Sequence, residues 1–423
     1  MMTILYDLVF FIFSIIYLPY LLIKRKWHEG FAMRFGFFKK IDIGDLNVSR
    51  IWIHAVSVGE VMVIKNLLNE IRLRYPEYPI VISVVTQTGF EMAQKISNQE
   101  DRVIYAPVDF SLSVRKYINA INPRIYINAE TELWPNLLTQ LWRRGIPIVQ
   151  VNGRISDQAF KGYRFLRPII KPILNCFSFF CMQSSLDADR IKELGACPKH
   201  VEVVGNMKFD DILDAHQKEL PNSIVDEAEE LFVAGSTHPG EEEIVLDVFE
   251  KAEKRFENLR LVIAPRHPER ANAIIELVEK KGFKAIKFSQ AHDLIVDQKT
   301  VVVVDTIGHL RSLYRLAKIV FVGKSLTVQG GHNIIEPAYF EKPVIVGPYM
   351  QNFKDITALF LQNNAILQIK DKNEFSKEFE RLLDDPVCCE ELGVRAREVI
   401  EQYQGASEKT LDVIADIVSK AKK

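Results

Sequence analysis

Two adjacent glycines, Gly330 and Gly331, open a segment whose residue types suit the binding of a nucleotide phosphate. They follow an apolar run that is typical of a buried strand, and the residues after them should begin a helix. Glycine lets a backbone approach a ligand closely, and free N–H groups at the start of a helix bind anions. Glu336 lies about one helical turn beyond Asn333, where its carboxylate could accept hydrogen bonds from ribose hydroxyls. A plain strand-to-helix turn is the alternative interpretation.

Two carboxylates and one lysine in the first half of the chain could carry acid–base chemistry. Glu60 ends the segment HAVSVGE, in the first turn of a predicted helix, and could take a proton from an attacking hydroxyl. Glu130 comes directly off a predicted strand, so it is a better candidate than Glu132 for a carboxylate that faces a ligand. Lys208 also follows a strand and could neutralise an oxyanion. The alternatives are an ordinary acidic residue at a helix N-terminus for Glu60 and a solvated linker lysine for Lys208.

Three loops in the second half of the chain carry hydroxyl, arginine and histidine side chains at the ends of predicted strands. They are residues 235–238 (GSTH), 265–270 (PRHPER) and 305–310 (DTIGHL). Hydroxyls and the rigid fork of arginine suit phosphate or carboxylate recognition. Together with residues 333–336, these loops predict a nucleotide site built wholly from the second half.

The sequence predicts no structural or catalytic metal and no cofactor. Asp187 and Asp189 have the spacing of a metal-binding pair, but they fall in a predicted helix, 185–194, where capping and a solvated face are expected. The five cysteines are odd in number and contain no CxxC pair. Four histidines follow different strands without HExxH spacing: His54, His238, His267 and His332.

Short β-rich runs alternate with helical patterns along most of the chain, as in parallel sheets flanked by helices. The first series is 51–55, 79–85, 102–105, 124–128, 147–152, 179–183 and 201–205. The second is 231–235, 259–264, 284–288, 301–305, 319–323, 344–347 and 365–369. A polar stretch from 210 to 230 separates them, which predicts two doubly wound domains joined by a linker. Because ligands bind outside the carboxyl ends of such strands, we expect the polar residues to line one cleft between the domains.

The N-terminus has the composition of a membrane anchor. Residues 3–23 are almost entirely apolar and aromatic, about the length that spans a bilayer, and the basic residues 24–26 follow. The positive-inside rule then places the rest of the chain in the cytoplasm. A helix lying in the membrane interface is the alternative, because Asp7 and Pro19 interrupt the apolar stretch. The net charge of −1 gives no sign of nucleic-acid binding.

The motifs HAVSVGE, NAETELWPN, NGRIS, GNMKFD, PRHPER and GGHNIIEPA occur in this order along the chain. In these motifs and their order, the sequence resembles the Kdo transferase family, the 3-deoxy-D-manno-octulosonic acid transferases of lipopolysaccharide assembly. The resemblance implies a metal-independent, inverting GT-B glycosyltransferase with two Rossmann-like domains that face a cleft. It also implies transfer of Kdo from CMP-Kdo to the lipid A precursor, lipid IVA, at the cytoplasmic face of the inner membrane.

The resemblance also implies roles for individual residues and segments. Glu60 becomes the proton acceptor, and Glu130 and Lys208 become stabilisers of the transition state. The CMP site comprises Pro265, Arg266, Ile307, Gly308, His309, Asn333, Ile334, Ile335 and Glu336. The expected organisation is an anchor (1–26), an acceptor-binding domain (27–212), a donor-binding domain (213–405) and a C-terminal helix (406–423).

Two residues depart from the pattern of that family. Lys324 stands where a second glycine is expected after Gly323, and His309 stands where an acidic residue is expected after Gly308. Two other functions compete with Kdo transfer. One is a GT-B transferase that uses a UDP-sugar donor and a lipid-linked acceptor, and the other is a non-catalytic, membrane-anchored scaffold that binds sugars.

Overall fold

The computed structural model describes residues 6–8, 10, 12, 29–38, 48–210, 220, 230–293 and 299–420. The chain divides into two compact units. Unit 1 comprises residues 1–213 and 404–423, and unit 2 comprises residues 214–403.

Unit 1 contains a seven-stranded parallel sheet. Its strands are β1 (Arg50–His54), β2 (Ile80–Val84), β3 (Arg102–Tyr105), β4 (Pro123–Ala129), β5 (Ile148–Gly153), β6 (Phe179–Met182) and β7 (Val201–Val203). Their order across the sheet is β3-β2-β1-β4-β5-β6-β7. Each of the first seven β-rich runs predicted from the sequence overlaps one of these strands, with ends that differ by at most two residues.

Helices cover both faces of this sheet. Along β1, Ile51 and Ile53 contribute to one apolar cluster and Trp52 to another, because successive side chains of a strand point to opposite faces. All three side chains are fully buried, as in sheets packed on both sides. The helices are α1 (Val58–Val63), α2 (Lys65–Arg74), α3 (Gln87–Ile96), α4 (Ser111–Ile121), α5 (Pro135–Arg143), α6 (Asp157–Phe165), α7 (Arg167–Leu174) and α8 (Ser185–Leu194).

The helix predicted over 185–194 is confirmed as α8. Ser184 caps the helix, because its Oγ accepts a hydrogen bond from the backbone N–H of Asp187 at 3.2 Å. The Asp187 carboxylate accepts hydrogen bonds from Ser184 Oγ and from the backbone N–H of Ile155, the latter at 2.8 Å, so it supports this cap and does not face a metal site. Asp189 is exposed and forms an ion pair with Lys192. In the part of the chain that the structure describes, no group of three or more His, Cys, Asp or Glu residues is arranged to hold a metal ion.

Unit 2 contains a second seven-stranded parallel sheet. Its strands are β8 (Glu230–Thr237), β9 (Leu259–Pro265), β10 (Lys284–Lys287), β11 (Thr300–Val303), β12 (Ile319–Val322), β13 (Val344–Val346) and β14 (Leu367–Gln368). Their order is β10-β11-β9-β8-β12-β13-β14. Its helices are α9 (Glu241–Ala252), α10 (Ala271–Lys280), α11 (Leu310–Leu316), α12 (Ile335–Tyr339), α13 (Lys354–Gln362), α14 (Lys372–Asp384) and α15 (Pro386–Tyr403). The second series of β-rich runs is confirmed as well.

The last helix, α16 (Ala406–Lys420), belongs to unit 1 and packs against α2. Buried Asp210 fixes the start of this helix, because its two carboxylate oxygens accept hydrogen bonds from the backbone N–H groups of Gly405 and Ser407, both at 2.6 Å. The chain therefore ends on the unit in which it began.

Most of the predicted anchor, residues 1–26, and of the linker, 210–230, lies outside the described residues. Asp7 is described, and its carboxylate accepts hydrogen bonds from Asn136 Nδ2 at 2.7 Å and from the backbone N–H of Ser111 at 3.1 Å. This residue of the N-terminal segment therefore contacts unit 1. Among the residues that can be described, no helix combines the length and apolar character needed to cross a bilayer.

Candidate functional site

The strand orders create a topological switch point in each sheet. In unit 1 the chain runs outward from β1 through β2 and β3 and then returns to β4, on the other side of β1. In unit 2 the corresponding change of direction lies between β8 and β12. Ligands of open α/β sheets bind outside the carboxyl ends of the strands at such points. Glu60 and Glu130 follow β1 and β4, so two predicted catalytic residues share the switch point of unit 1.

Glu60 lies in the first turn of α1 and its side chain is only 8% exposed. One carboxylate oxygen accepts a hydrogen bond from the backbone N–H of Val56 at 2.7 Å, and the other accepts one from Ser57 Oγ at 2.9 Å. Glu60 is thus an acidic residue at a helix N-terminus, as the alternative interpretation expects, but its hydrogen bonds come from residues that precede the helix. These bonds hold the carboxylate in one orientation at the end of β1.

Burial raises the pKa of Glu60 to about 7. The hydrogen bond from Val56 opposes this rise, while the nearby negative charge of Glu130 adds to it. A carboxylate whose pKa lies near neutral pH accepts a proton far more effectively than an ordinary glutamate does. Burial and position therefore separate Glu60 from a simple capping residue.

Glu130 adopts a left-handed backbone conformation, with φ of +52°, immediately after β4. This conformation is uncommon for residues other than glycine, and strained residues of this kind concentrate at functional sites. The backbone N–H of Glu130 donates to Val151 O at 3.0 Å, which ties the turn to β5. Glu132, in the same loop, accepts a hydrogen bond from Trp134 Nε1 at 2.9 Å, and burial raises its pKa.

Lys208 lies in a one-turn 3-10 helix after β7, at the edge of the sheet. Its backbone N–H donates to Asn206 Oδ1 at 3.0 Å. The neighbouring N–H of Met207 donates to Asn152 Oδ1 at 3.0 Å, and Asn152 stands at the end of β5. Because β5 is adjacent to β4, this bond holds the Lys208 loop on the side of the sheet edge that is nearer to β4, the strand that Glu130 follows. The backbone of Lys208 is thus fixed, unlike that of a linker lysine.

His54, the last residue of β1, is fully buried against the loop that contains Glu132 and Trp134. Its Nδ1 lies 3.1 Å from Ser83 O, and its ring meets that of Trp134 edge-on at 5.2 Å. Burial lowers the pKa of His54 to about 4, so the imidazole is neutral at pH 7. We infer that His54 supports the loop by packing.

In unit 2, the carboxylate of Glu241 joins the loops that follow β8 and β12. Glu241 is fully buried at the start of α9. One oxygen accepts hydrogen bonds from the backbone N–H groups of His238 and Lys324, at 2.9 and 2.8 Å. The other accepts those of Ser325 and Leu326, both at 2.9 Å. A single side chain therefore determines the geometry of the switch point.

The backbone at Lys324 explains why a glycine is expected there. Lys324 has φ of +58°, in the left-handed region that glycine enters without strain. At Gly323 a side chain would collide with the backbone, because an added Cβ would lie 2.5 Å from Ser236 O. The departure at Lys324 thus places a cation at the switch point at the cost of backbone strain.

The amides of the glycine pair are already engaged within the protein. Gly330 N–H donates to Gln351 Oε1 at 2.9 Å, and Gly331 N–H donates to Lys324 O at 2.6 Å. The N–H of Ile335, at the start of α12, donates to Asn333 Oδ1 at 3.0 Å. In this structure, these three amides are not open to a phosphate. Side chains must therefore supply more of the anion binding than the sequence pattern suggests.

Pro265 is the buried last residue of β9, and Arg266 and residues 307–309 lie on the loops after β9 and β11. Residues 333–336 span the end of the loop after β12 and the start of α12. Arg266 is exposed, and its backbone N–H donates to Thr237 O at 3.1 Å, which joins the loops after β8 and β9. Gly308 has φ of +97° and Ile307 is exposed, whereas the ring of His309 packs on Phe288 with centroids 4.6 Å apart.

Asn333 and Glu336 contact each other, since Asn333 Nδ2 donates to Glu336 Oε1 at 3.2 Å. Burial raises the pKa of Glu336, and its hydrogen bond with Asn333 and the charges of Arg311 and Arg266 oppose this rise. Ile334 and Ile335 are fully buried, so their side chains serve packing.

Residues 29–211 match the profile of a family described as 3-deoxy-D-manno-octulosonic-acid transferase (kdotransferase). A 3-deoxy-D-manno-octulosonic acid transferase of Haemophilus influenzae is 31% identical over 395 residues, covering 92% of this chain and 91% of that relative. The chain belongs to the Kdo transferase family. It is therefore a glycosyltransferase, in a family of lipopolysaccharide biosynthesis.

Two further similarities concern length and fold. A bifunctional glycosyltransferase/methyltransferase of Fusobacterium nucleatum is 38% identical over 83% of this chain, and the chain spans only 55% of that relative. A putative UDP-N-acetylglucosamine 2-epimerase from Listeria monocytogenes aligns with a TM-score of 0.60 at 14% identity, covering 88% of this chain and 97% of that structure. This likeness shows the fold alone, which is α/β and GT-B-like, with two parallel sheets.

Sequence reasoning did not single out two features of this transferase. Glu241 resembled any acidic residue in a first helical turn, and only the Pro239-Gly240 turn before it marked the position. The other feature is the pairing of His238 with His332, which were assigned to separate loops. Both features depend on β8 lying beside β12, which no local pattern specifies.

Proposed function

We propose that this enzyme transfers Kdo from CMP-Kdo to the lipid A precursor, lipid IVA, with inversion and without a metal ion. The observation that carries the proposal is Glu60, a buried, oriented carboxylate whose pKa of about 7 suits a general base, beside Glu130 at the switch point of unit 1. We infer the transferred sugar from the family, and the mechanism from the residues at the two switch points.

The proposed reaction is a single displacement. Glu60 takes the proton of an acceptor hydroxyl as that oxygen forms a bond to the anomeric carbon of Kdo, and the bond from this carbon to the phosphate oxygen of CMP breaks. Unit 1 binds the acceptor, and Glu130 and Lys208 stabilise the charges that develop in the transition state. Inversion follows because the hydroxyl attacks the face opposite the leaving phosphate.

Unit 2 binds the donor through the loops after β8, β9, β11 and β12. Arg266 and Lys324 lie near His332 and supply positive charge for the phosphate and the Kdo carboxylate. Asn333 and Glu336, already in contact, present amide and carboxylate groups to the ribose. The proposal of metal independence rests on this concentration of cationic side chains.

A lipid-borne acceptor requires contact with the inner membrane, which we place at the cytoplasmic face. The apolar segment at 3–23 and the basic residues 24–26 support this. So does the surface of α6 and α7, where Phe165 is 86% exposed and Ile169 is 52% exposed. From 158 to 174 the two helices contain lysine and arginine but no acidic residue, as expected of a surface that meets anionic lipid.

The test is transfer from CMP-Kdo, generated in situ, to tetraacylated lipid A precursor in detergent, with EDTA present and product masses as the readout. Glu60→Gln keeps the size of the side chain, and its amide can still accept from the Val56 N–H and donate to Ser57 Oγ, but it removes the base, so we expect the products to be lost while CMP binding remains. Glu70→Gln is the matched control, because Glu70 is exposed on the next helix. A Glu60→Gln enzyme with undiminished turnover would refute the assignment. Competition by UDP but not CMP would indicate a UDP-sugar donor, and CMP binding without product would favour a different acceptor or a scaffold.

A further inference from the structure

His238 and His332 form a pair across the switch point of unit 2. Their Nε2 atoms lie 3.1 Å apart, within hydrogen-bonding distance, and their rings stack with centroids 5.3 Å apart. His238 follows β8 and His332 follows β12, so 94 residues of chain separate two side chains that the sheet brings together. For a hydrogen bond to form, one Nε2 must carry a proton and the other must lack one.

The surroundings of this pair are strongly cationic. Arg266 and His267, after β9, and Lys324, after β12, all lie close enough to disfavour a charge on His332. Burial and these charges lower the pKa of His332 to about 4, and burial, Lys324, His267 and Arg270 lower that of His238.

The negative charge of Glu242 opposes the lowering of the His238 pKa, but Glu242 forms an ion pair with Arg270. Both of its carboxylate oxygens accept hydrogen bonds from Arg270, at 2.7 and 3.2 Å. Two neutral imidazoles therefore stand in a site whose other side chains attract anions. A bound anion would add negative charge beside the two rings, and would favour the protonated form.

We propose that the His238–His332 pair takes up one proton when the donor binds and holds it against the leaving phosphate. The proposal rests on the proposed function, because it takes CMP-Kdo as the donor. The proton comes from solvent and stays on the pair while the acceptor oxygen bonds to the anomeric carbon and the carbon–phosphate-oxygen bond breaks. It returns to solvent when CMP departs. The pair thereby adds a positive charge at the step in which charge develops on the phosphate.

The geometry for this role is set before any ligand arrives. The backbone N–H groups of His238 and Lys324 both donate to Glu241. The two loops are therefore fixed relative to each other by a buried carboxylate, and the imidazoles need little rearrangement to meet an anion. His238 and His332 are the proposed catalytic residues, and Glu241 is a positioning residue.

The test is calorimetric titration of the full-length protein with CMP at pH 7, in buffers that differ in ionisation enthalpy. We expect the observed enthalpy to vary with the buffer in proportion to about one proton taken up per CMP bound. For the same reason CMP affinity should fall as pH rises, by up to about tenfold per unit. His238→Gln and His332→Gln should weaken CMP binding and abolish the buffer dependence. His200→Gln, an exposed histidine of unit 1, is the control and should change neither.

The outcomes separate this inference from the function on which it rests. Binding of CMP without proton exchange would overturn the inference and leave the donor assignment standing. Proton uptake that persists in both glutamine variants would assign the proton to the CMP phosphate, and would also overturn it. Failure of the folded protein to bind CMP would overturn the donor assignment and the inference together. If a variant does not fold, NMR titration of the histidine ring protons of the natural protein decides, since CMP must raise the pKa of this pair.

Discussion

Glu241 offers the sharpest test of how the donor loops are built. Glu241→Gln replaces one carboxylate oxygen by an NH₂ group, which cannot accept the two backbone N–H groups that this oxygen now serves. Leaving a buried donor without a partner costs about 1–3 kcal/mol, so two such donors should lower the free energy of unfolding by about 2–6 kcal/mol. Whichever oxygen is replaced, at least one backbone N–H of residues 324–326 loses its acceptor, so the loop after β12 is loosened and CMP affinity should fall as well.

Urea-induced unfolding and calorimetric titration with CMP measure the two effects. Glu243→Gln is the matched control, since Glu243 lies in the same helical turn but is exposed. It should lose only the favourable interaction with the helix dipole, about 0.3–1 kcal/mol. If Glu241→Gln unfolded at the same urea concentration as Glu243→Gln and bound CMP as the natural protein does, the positioning role of Glu241 would be wrong.

Three further predictions follow from single side chains. Glu60 has a folded pKa of about 7, above its ordinary 4.5, so the folded state favours the protonated form and turnover should fall as pH decreases below about 7. At pH 8.5, above both pKa values, Glu60→Gln should raise the free energy of unfolding, measured by urea titration, by up to about 3 kcal/mol. Equal stability of Glu60→Gln and the natural protein at this pH would contradict the shift in pKa. Lys324→Gly should relieve left-handed strain worth about 1–2 kcal/mol yet weaken CMP binding about tenfold. Asn364→Gly, at another left-handed position, should leave CMP binding unchanged. Asp210→Asn should destabilise unit 1 by about 1–3 kcal/mol, because one backbone N–H loses its acceptor, whereas Asp412→Asn should have little effect because Asp412 is exposed. Equal melting temperatures for the two variants would refute this prediction.

Much of the fold was predictable because its signals are local. Each of the fourteen strands overlaps one predicted β-rich run, since parallel strands buried on both faces are nearly continuous apolar stretches. The polar residues that end those runs are visible for the same reason. Glu60 and Glu130 could therefore be selected before their surroundings were known. The anchor and the cleft between the domains remain predictions.

The glycine pair shows where local reasoning fell short. Gly330 and Gly331 satisfied the composition of a phosphate cradle, but their N–H groups are bonded to Gln351 and Lys324 in the folded chain. Met350 supplies a different reason for Gly331, because a Cβ there would lie 2.5 Å from its sulfur atom. Composition alone cannot tell whether a glycine is needed for ligand binding or for close packing, because close packing depends on residues distant in sequence.

The strands, the positions of the polar loops at their ends and the family are all encoded in residues close together along the chain, so they can be predicted without a structure. Which loops meet depends on contacts that no local segment specifies. The order of the strands brings His238 to His332 and places Glu241 beneath both loops. The pKa of Glu60 likewise depends on burial and on the charge of Glu130, 70 residues away along the chain. Strand order, burial and the distances between charges arise from contacts between distant parts of the chain, and these contacts exist only in the folded protein.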